Sequence, residues 1–318
     1  MNKFKKIVLS AIAPLLILLL AGMWFLRRNR ELLPLMHINS VGSISPADCG
    51  YMHISLDDTI HVFRDITENE SSYESIFEND TLKYLQKLHS KYGSVISCYC
   101  YYQDGEFDLS MATDKFANEF ANNSDWLRFG FHSLNSSKTY DKVHHNELKE
   151  DYLCVVRELL RITGTPMCID NVVRLHCFAG TKKGIMNILN TGNGIIGLLC
   201  ADTEGRQSYY LDDEDNYMAF WSDVYEMDGI YFINTDLRME NYTNYNIKKE
   251  LKKYAEDDAY ENKRDILVIF THEWQMKKRR VKKNLETCCQ YAVKNEYDFA
   301  FVEDRIEDGA NGILSKRR

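Results

Sequence analysis

The chain has 318 residues, 45% of them hydrophobic and 27% charged, which supplies apolar material for one large domain or two ordinary ones and excludes wholesale disorder. Net charge is −8 at pH 7; the first 30 residues hold six Lys/Arg and no acid, which leaves 33 basic and 47 acidic residues, a net −14, on the remainder. So acidic a body excludes nucleic acid as the expected partner, and it argues against a polyanionic substrate unless a local basic patch overrides the average.

The chain opens on a basic "MNKFKK", followed by "IVLSAIAPLLILLLAGMWFL" (residues 7–26), 20 residues without a charge, and then by "RRNR". Twenty apolar residues make about 30 Å of helix, the thickness of a bilayer core. The apolar run continues through Trp24, Phe25 and Leu26, past the small residues where a cleaved signal would end. Residues 1–30 are therefore expected to form a membrane anchor, with a cleaved signal segment as the alternative. Lys3, Lys5 and Lys6 nearly balance Arg27, Arg28 and Arg30 across the segment, so charge sets orientation weakly. The body beyond residue 30 is expected on the extracytoplasmic side.

Residues 31–50, ending in "SVGSISPADCG", read as a linker. Beyond it, short apolar runs alternate with helical patterns. Strands are expected at 52–56, 94–102, 126–131, 172–178, 194–200, 229–235, 266–271 and 298–302, several of them continuously apolar, as suits parallel strands buried on both faces. Helices are expected between them, at 71–93, 113–123, 145–164, 182–192, 246–258 and 276–295. In the third, Leu148, Tyr152, Val155, Val156, Leu159 and Leu160 mark one face, and Gly164 ends it. Segment 201–229 is acidic and aromatic, too long for a plain turn, and reads as an insertion with its own local structure. Residues 306–318 form a polar tail. Strand–helix alternation over 51–305 predicts an α/β fold, a (β/α) barrel with seven or eight parallel strands; a doubly wound open sheet is the runner-up, weakened by the missing glycine-rich phosphate loop. The nine cysteines are odd in number and lack a CxxC pair. They read as small buried hydrophobes, neither a disulfide framework nor a zinc site.

In a (β/α) barrel, chemistry sits at the carboxyl ends of the strands. Those ends carry Asp57 and Asp58 after the first strand, His132 in "GFHSLN", Arg174 and His176 in "RLHCFAG", and His272 and Glu273 in "FTHEW". Two imidazoles and a carboxylate make a facial site for a divalent metal with positions left open, a second carboxylate can take a proton from water, and another histidine can protonate a leaving group. Each residue has a plainer alternative. The aspartate pair can cap a helix, Ser133 or Asn135 can cap the element after His132, and His176 can be a satisfied core histidine.

Together, "ISLDDT", "GFHSLN", "RLHCFAGT" and "LVIFTHEW", in this order, resemble the polysaccharide deacetylase family of metal-dependent carbohydrate esterases. The resemblance spans about residues 50–305. It implies that Asp57 is the catalytic base and Asp58 a metal ligand, that His132 is the first histidine ligand of an HSxxH-like motif, and that His272 is the acid. Arg174 and Gly180 match the arginine-led motif, with Arg174 expected to orient Asp57. The second histidine of the HSxxH-like motif would be residue 136, which here is Ser136. His176 is expected to replace it, giving Asp58, His132 and His176; His144 and His145, which open a helix, are weaker substitutes. The implied cofactor is a divalent ion, zinc first, with cobalt, nickel or manganese as alternatives. The implied partner is a glycan substrate that loses N- or O-acetyl groups. Glu273, Trp274, Trp221, Tyr209 and Tyr210 are candidates for supporting or substrate contacts, against ordinary packing. Two other functions stay open: a catalytically degenerate barrel that binds glycan or acts as a scaffold, and a hydrolase with another amide or glycosidic substrate.

Overall fold

The computed structural model describes residues 50–191, 194–256 and 266–306. Segment 7–26, the linker up to Cys49 and the polar tail beyond Ile306 lie outside the described residues; among those described, no helix is long and apolar enough to cross a membrane.

The architecture is α/β with largely parallel strands. Strands β1 (Tyr51–Thr59), β2 (Ile96–Tyr101) and β3 (Leu127–Ser133) are followed by β4 (Val172–Val173), β5 (Gly197–Leu199), β6 (Val224–Met227), β7 (Ile230–Ile233), β8 (Leu237–Arg238), β9 (Ile266–His272) and β10 (Asp298–Phe299). One sheet runs β8-β9-β1-β2-β3, all parallel, with β10 alongside β1. The second runs β4-β5-β7-β6, with only β6 antiparallel. A parallel bridge between Phe129 and Ile169 joins β3 to the approach to β4. The central strands are buried along nearly their whole length, as their unbroken apolar runs require.

Around the sheets lie helices α1 (His61–Glu68), α2 (Asp80–Tyr92), α3 (Ala117–Asn122), α4 (His145–Thr163), α5 (Lys182–Leu189), α6 (Asp213–Trp221), α7 (Asn244–Glu256) and α8 (Arg279–Lys294). Local chemistry explains several of their boundaries. Asn79 accepts from the Thr81 and Leu82 amides to start α2, and Gly93, at φ 77°, ends it in the left-handed conformation that glycine adopts without steric cost. His144 and Glu147 form a reciprocal capping box at the start of α4.

Two expectations need correction, and a third is met. Helix α1 is absent from the sequence reading because Ile60, at its N-cap, has no side-chain acceptor to signal a start. The predicted strand 172–178 stops at Val173: Cys177 and Phe178 take φ of 58° and 57°, left-handed values that turn the chain away from the sheet. Segment 201–229 does carry its own structure, helix α6 and strand β6, and β6 hydrogen-bonds β7 antiparallel.

Side chains tie the two sheets across their common interior. The Tyr99 hydroxyl donates to the Val172 carbonyl at 2.9 Å, and a Cβ at Gly130 would stand 2.9 Å from the Tyr99 ring, so only glycine leaves that ring its place. Arg174, 1% exposed, reaches from just after β4 to Ser55 of β1 and to Thr235 between β7 and β8. The amino end of the strands is filled by charge, which the sequence did not signal. Arg128 of β3 bonds Glu303 and Asp304 at 3.2 Å, Glu303 accepts from the Asn171 amide at 2.8 Å, and His53 Nδ1 lies 3.2 Å from the Ala300 carbonyl. Burial, aided by the Arg174 and Arg128 charges, pushes His53 down to about 3, so it stays neutral. The eight described cysteines are all free; six are buried, Cys154 is half-buried and Cys177 is exposed.

Candidate metal centre and active site

Strands β1 and β9 are parallel neighbours, and their register sets Asp57 opposite His272 at the carboxyl ends of both. Consecutive residues of a regular strand point to opposite faces. Asp58 breaks that rule: its φ is 60°, and the pairing of β1 with β2 slips between Leu56 and Thr59. This bulge turns two adjacent carboxylates to one rim, at a steric cost that an aspartate bears only where its surroundings over-determine it. The aspartate pair is therefore strand, not loop.

Asp57 is buried and takes a 2.8 Å charge-assisted bond from Arg174 Nη1, which also donates to Ser55 Oγ at 3.0 Å. Beside it, three potential ligand atoms converge. His132 Nε2 is 3.3 Å from Asp58 Oδ1, His176 Nδ1 is 3.9 Å from the same oxygen, and the two ring nitrogens are 3.4 Å apart. Donors about 2.0–2.2 Å from a shared tetrahedral ion would stand about 3.3–3.6 Å from one another, so the spacing suits one small divalent cation. The chemistry of the set agrees. Asp58 Oδ1 is buried with no hydrogen-bond partner. The His132 Nδ1–H donates to the Arg174 carbonyl, which leaves Nε2 with its lone pair toward the cluster. Burial, and the charge that His132 carries when protonated, pull His176 down to about 4, so it is neutral and able to ligate at physiological pH. Burial alone would raise Asp58, but the nearness of His132, with His272 and Tyr101, holds it below the usual carboxylate range.

His176 lies in a turn after β4, not in the strand where the sequence placed it. The backbone of Ser136, the position that lacks the family's second histidine, hydrogen-bonds the His176 ring. His144 and His145 cap and open α4. Tyr101, at the end of β2, was missed: its hydroxyl is 2.8 Å from His176 Nδ1 and also bonds Asp58. A tyrosine in an apolar strand gave no signal of that.

His272 has a partner that sequence reasoning also missed. Its Nδ1 donates to Glu240, whose other oxygen takes the Thr271 hydroxyl at 2.8 Å. Burial lowers His272, but the Glu240 hydrogen bond and the charges of Asp57, Glu240 and Asp58 prevail and raise it. With Nδ1 held, Nε2 is the nitrogen left to transfer a proton. Glu240 stands in a short turn after β8 and has no motif around it. Glu240 raises His272, so for a reaction in which His272 is the acid Glu240→Gln should move the alkaline limb of kcat/KM to lower pH while the acid limb stays; a pH–rate profile of both proteins checks this.

Glu273 does something other than expected. Its carboxylate accepts the Ile60, His61 and Val62 amides at 2.9, 2.8 and 2.7 Å, supplying in trans the cap that α1 lacks. Glu273→Ala should cost about 3 kcal/mol, because three backbone donors, two of them buried, lose their acceptor, and urea denaturation measures it. Trp274 is half-exposed, donates to Asp58 Oδ2 at 3.0 Å and lies 5.6 Å from the His272 ring. Tyr209 faces the interior and bonds the Leu199 carbonyl at 2.6 Å, so it offers no platform to a sugar. Tyr210 bonds Asp228, and Trp221 ends α6 against Tyr217 and Phe220.

No family model and no curated protein matches the sequence. Solved structures do. The Bc1960 peptidoglycan N-acetylglucosamine deacetylase is 10% identical with a TM-score of 0.44, over 82% of this chain and 90% of that one. A family 4 carbohydrate esterase from Streptomyces lividans is 8% identical with a TM-score of 0.41, over 80% and 94%. In fold, the chain is similar to family 4 carbohydrate esterases. BA3943 from Bacillus anthracis, a family 4 pseudoenzyme, is 7% identical with a TM-score of 0.39, over 83% of this chain and 69% of that one.

Proposed function

We propose that the protein is a metal-dependent hydrolase that removes acetyl groups from a glycan. The single observation that carries this reading is the convergence of Asp58, His132 and His176 beside the Asp57–Arg174 pair at the carboxyl ends of β1 and β9. In this reading Asp58, His132 and His176 hold a divalent ion, zinc first, which when bound polarises the acyl oxygen and acidifies water. Asp57 takes the proton of the attacking water. Arg174 aims that carboxylate through their 2.8 Å bond. His272 gives a proton to the departing amine or alkoxide, steadied by Glu240. Trp274, half-exposed at the rim, is the platform for the sugar ring. The two sheets, bridged at Phe129 and tied by Tyr99 and Arg174, would then be the walls of a distorted (β/α) barrel. Residues 7–26 would anchor this body to a membrane, on its extracytoplasmic side.

Acetate release from N-acetylglucosamine oligomers tests the reading. Treatment with a chelator should abolish it and a divalent ion should restore it. One observation favours a second reading, a glycan-binding protein without turnover: Ser136 stands where the resembled family has a ligand. Glycan binding with no acetate release, in the presence of any divalent ion, would favour that reading.

A further inference from the structure

The acidic body carries one concentrated basic surface, and it starts at the site. From Trp274 to Leu285 there is no acidic residue and there are six cations: Lys277, Lys278, Arg279, Arg280, Lys282 and Lys283. All but Lys282 are exposed, and among the described residues no carboxylate pairs with any of the six. Lys278 Nζ lies 5.5 Å from the Trp274 ring centre, and Trp274 itself bonds Asp58. Helix α7 extends the surface: Arg280 bonds the Tyr242 carbonyl at 2.7 Å, Asn244 bonds Asn284 at 2.6 Å, and Lys248 and Lys249 follow in α7, exposed, after the 77% exposed Tyr245. Local stability does not explain the arrangement. The first turn of α8 has no acidic residue and no side-chain cap, and cations there oppose the helix dipole. Acidic residues gather elsewhere, as in Asp212, Asp213, Glu214 and Asp215 at the start of α6.

We infer that this strip docks an anionic glycan, a polysaccharide bearing carboxylate or phosphate groups, with the acetylated sugar presented over Trp274. The inference rests on the deacetylase reading and names its substrate class. Clustered Lys and Arg create a local positive potential although the whole body is negative, and arginine forks match carboxylate and phosphate oxygens. Exposed aromatics at Trp274 and Tyr245 suit sugar faces between the charges.

Binding, measured apart from turnover, tests it. The full chain in neutral detergent is titrated with a hyaluronan hexamer, which is N-acetylated and carries carboxylates, and with neutral chitohexaose. At about 20 mM salt the hyaluronan hexamer should bind about tenfold more tightly, and the advantage should shrink at about 300 mM salt. The variant Lys277→Glu/Lys278→Glu/Arg279→Glu/Arg280→Glu should lose the preference; the milder Lys278→Ala/Arg279→Ala should lose part of it and guards against misfolding of the first. Equal affinities for the two hexamers, or a preference indifferent to these substitutions, would overturn the inference. So would binding to phosphatidylglycerol vesicles through the same residues without hyaluronan binding, which would make the strip a membrane-docking face. An anionic preference without acetate release supports the docking surface and contradicts the deacetylase reading alone; acetate release without the preference does the reverse.

Discussion

Asp57→Asn is expected to lower acetate release about 10²–10⁴-fold while the protein still binds one divalent ion per chain. The amide keeps the shape of the carboxylate and loses its capacity to take a proton. The substitution also has a structural consequence. Arg174 is 1% exposed, and its Nη1 loses the Asp57 carboxylate, keeping the Ser55 hydroxyl, while Nη2 keeps that of Thr235. Breaking such a pair from one side costs about 3–5 kcal/mol. Loss of activity must therefore be read beside a denaturation curve. The double variant Asp57→Asn/Arg174→Gln removes both charges, and it should regain much of the lost stability without regaining activity. A double variant that recovers turnover would show that Asp57 is not the base.

The second large effect is expected at His176. Its side chain is 18% exposed and sits in a turn, so His176→Ala should alter the unfolding midpoint little. Metal affinity should fall by more than the about 10–100-fold that loss of an outer-shell partner costs, because an atom of the cluster itself is gone. Tyr101→Phe removes a hydroxyl but leaves all three ligand atoms in place, so it should change metal affinity less than His176→Ala does. Competition with a chromophoric chelator measures both. Equal affinities for His176→Ala and the parent would assign the ion to other residues and return Ser136 to its reading as a lost ligand.

How much of this was legible beforehand depended on whether the signal was local. Strands β1, β2, β3 and β9 were visible because each is a continuous apolar run, and Asp57, Asp58, His132 and His272 were visible because each lies at the end of such a run. The bulge at Asp58 was not, since nothing in "SLDDT" announces a left-handed residue. Helix α1 was invisible because its cap, Glu273, is more than 200 positions away. Glu240 and Tyr101 were missed for the same reason: their importance comes from whom they meet, Glu240 meeting His272 and Tyr101 meeting His176. Glu273 was noticed for its place beside His272, yet its carboxylate is spent on three backbone amides. The basic run 277–283 is contiguous in the sequence, but its place beside Trp274 at the rim appears only in the fold. Segment 7–26 and its expected membrane role lie outside the described residues.

The most direct test of the central claim is anomalous diffraction, at the absorption edge of zinc or cobalt, from crystals of the metal-loaded protein. One peak is predicted about 2.0–2.3 Å from a carboxylate oxygen of Asp58, Nε2 of His132 and Nδ1 of His176 together. A peak that excludes His176, or a loaded crystal with no peak within reach of Asp58, would contradict it.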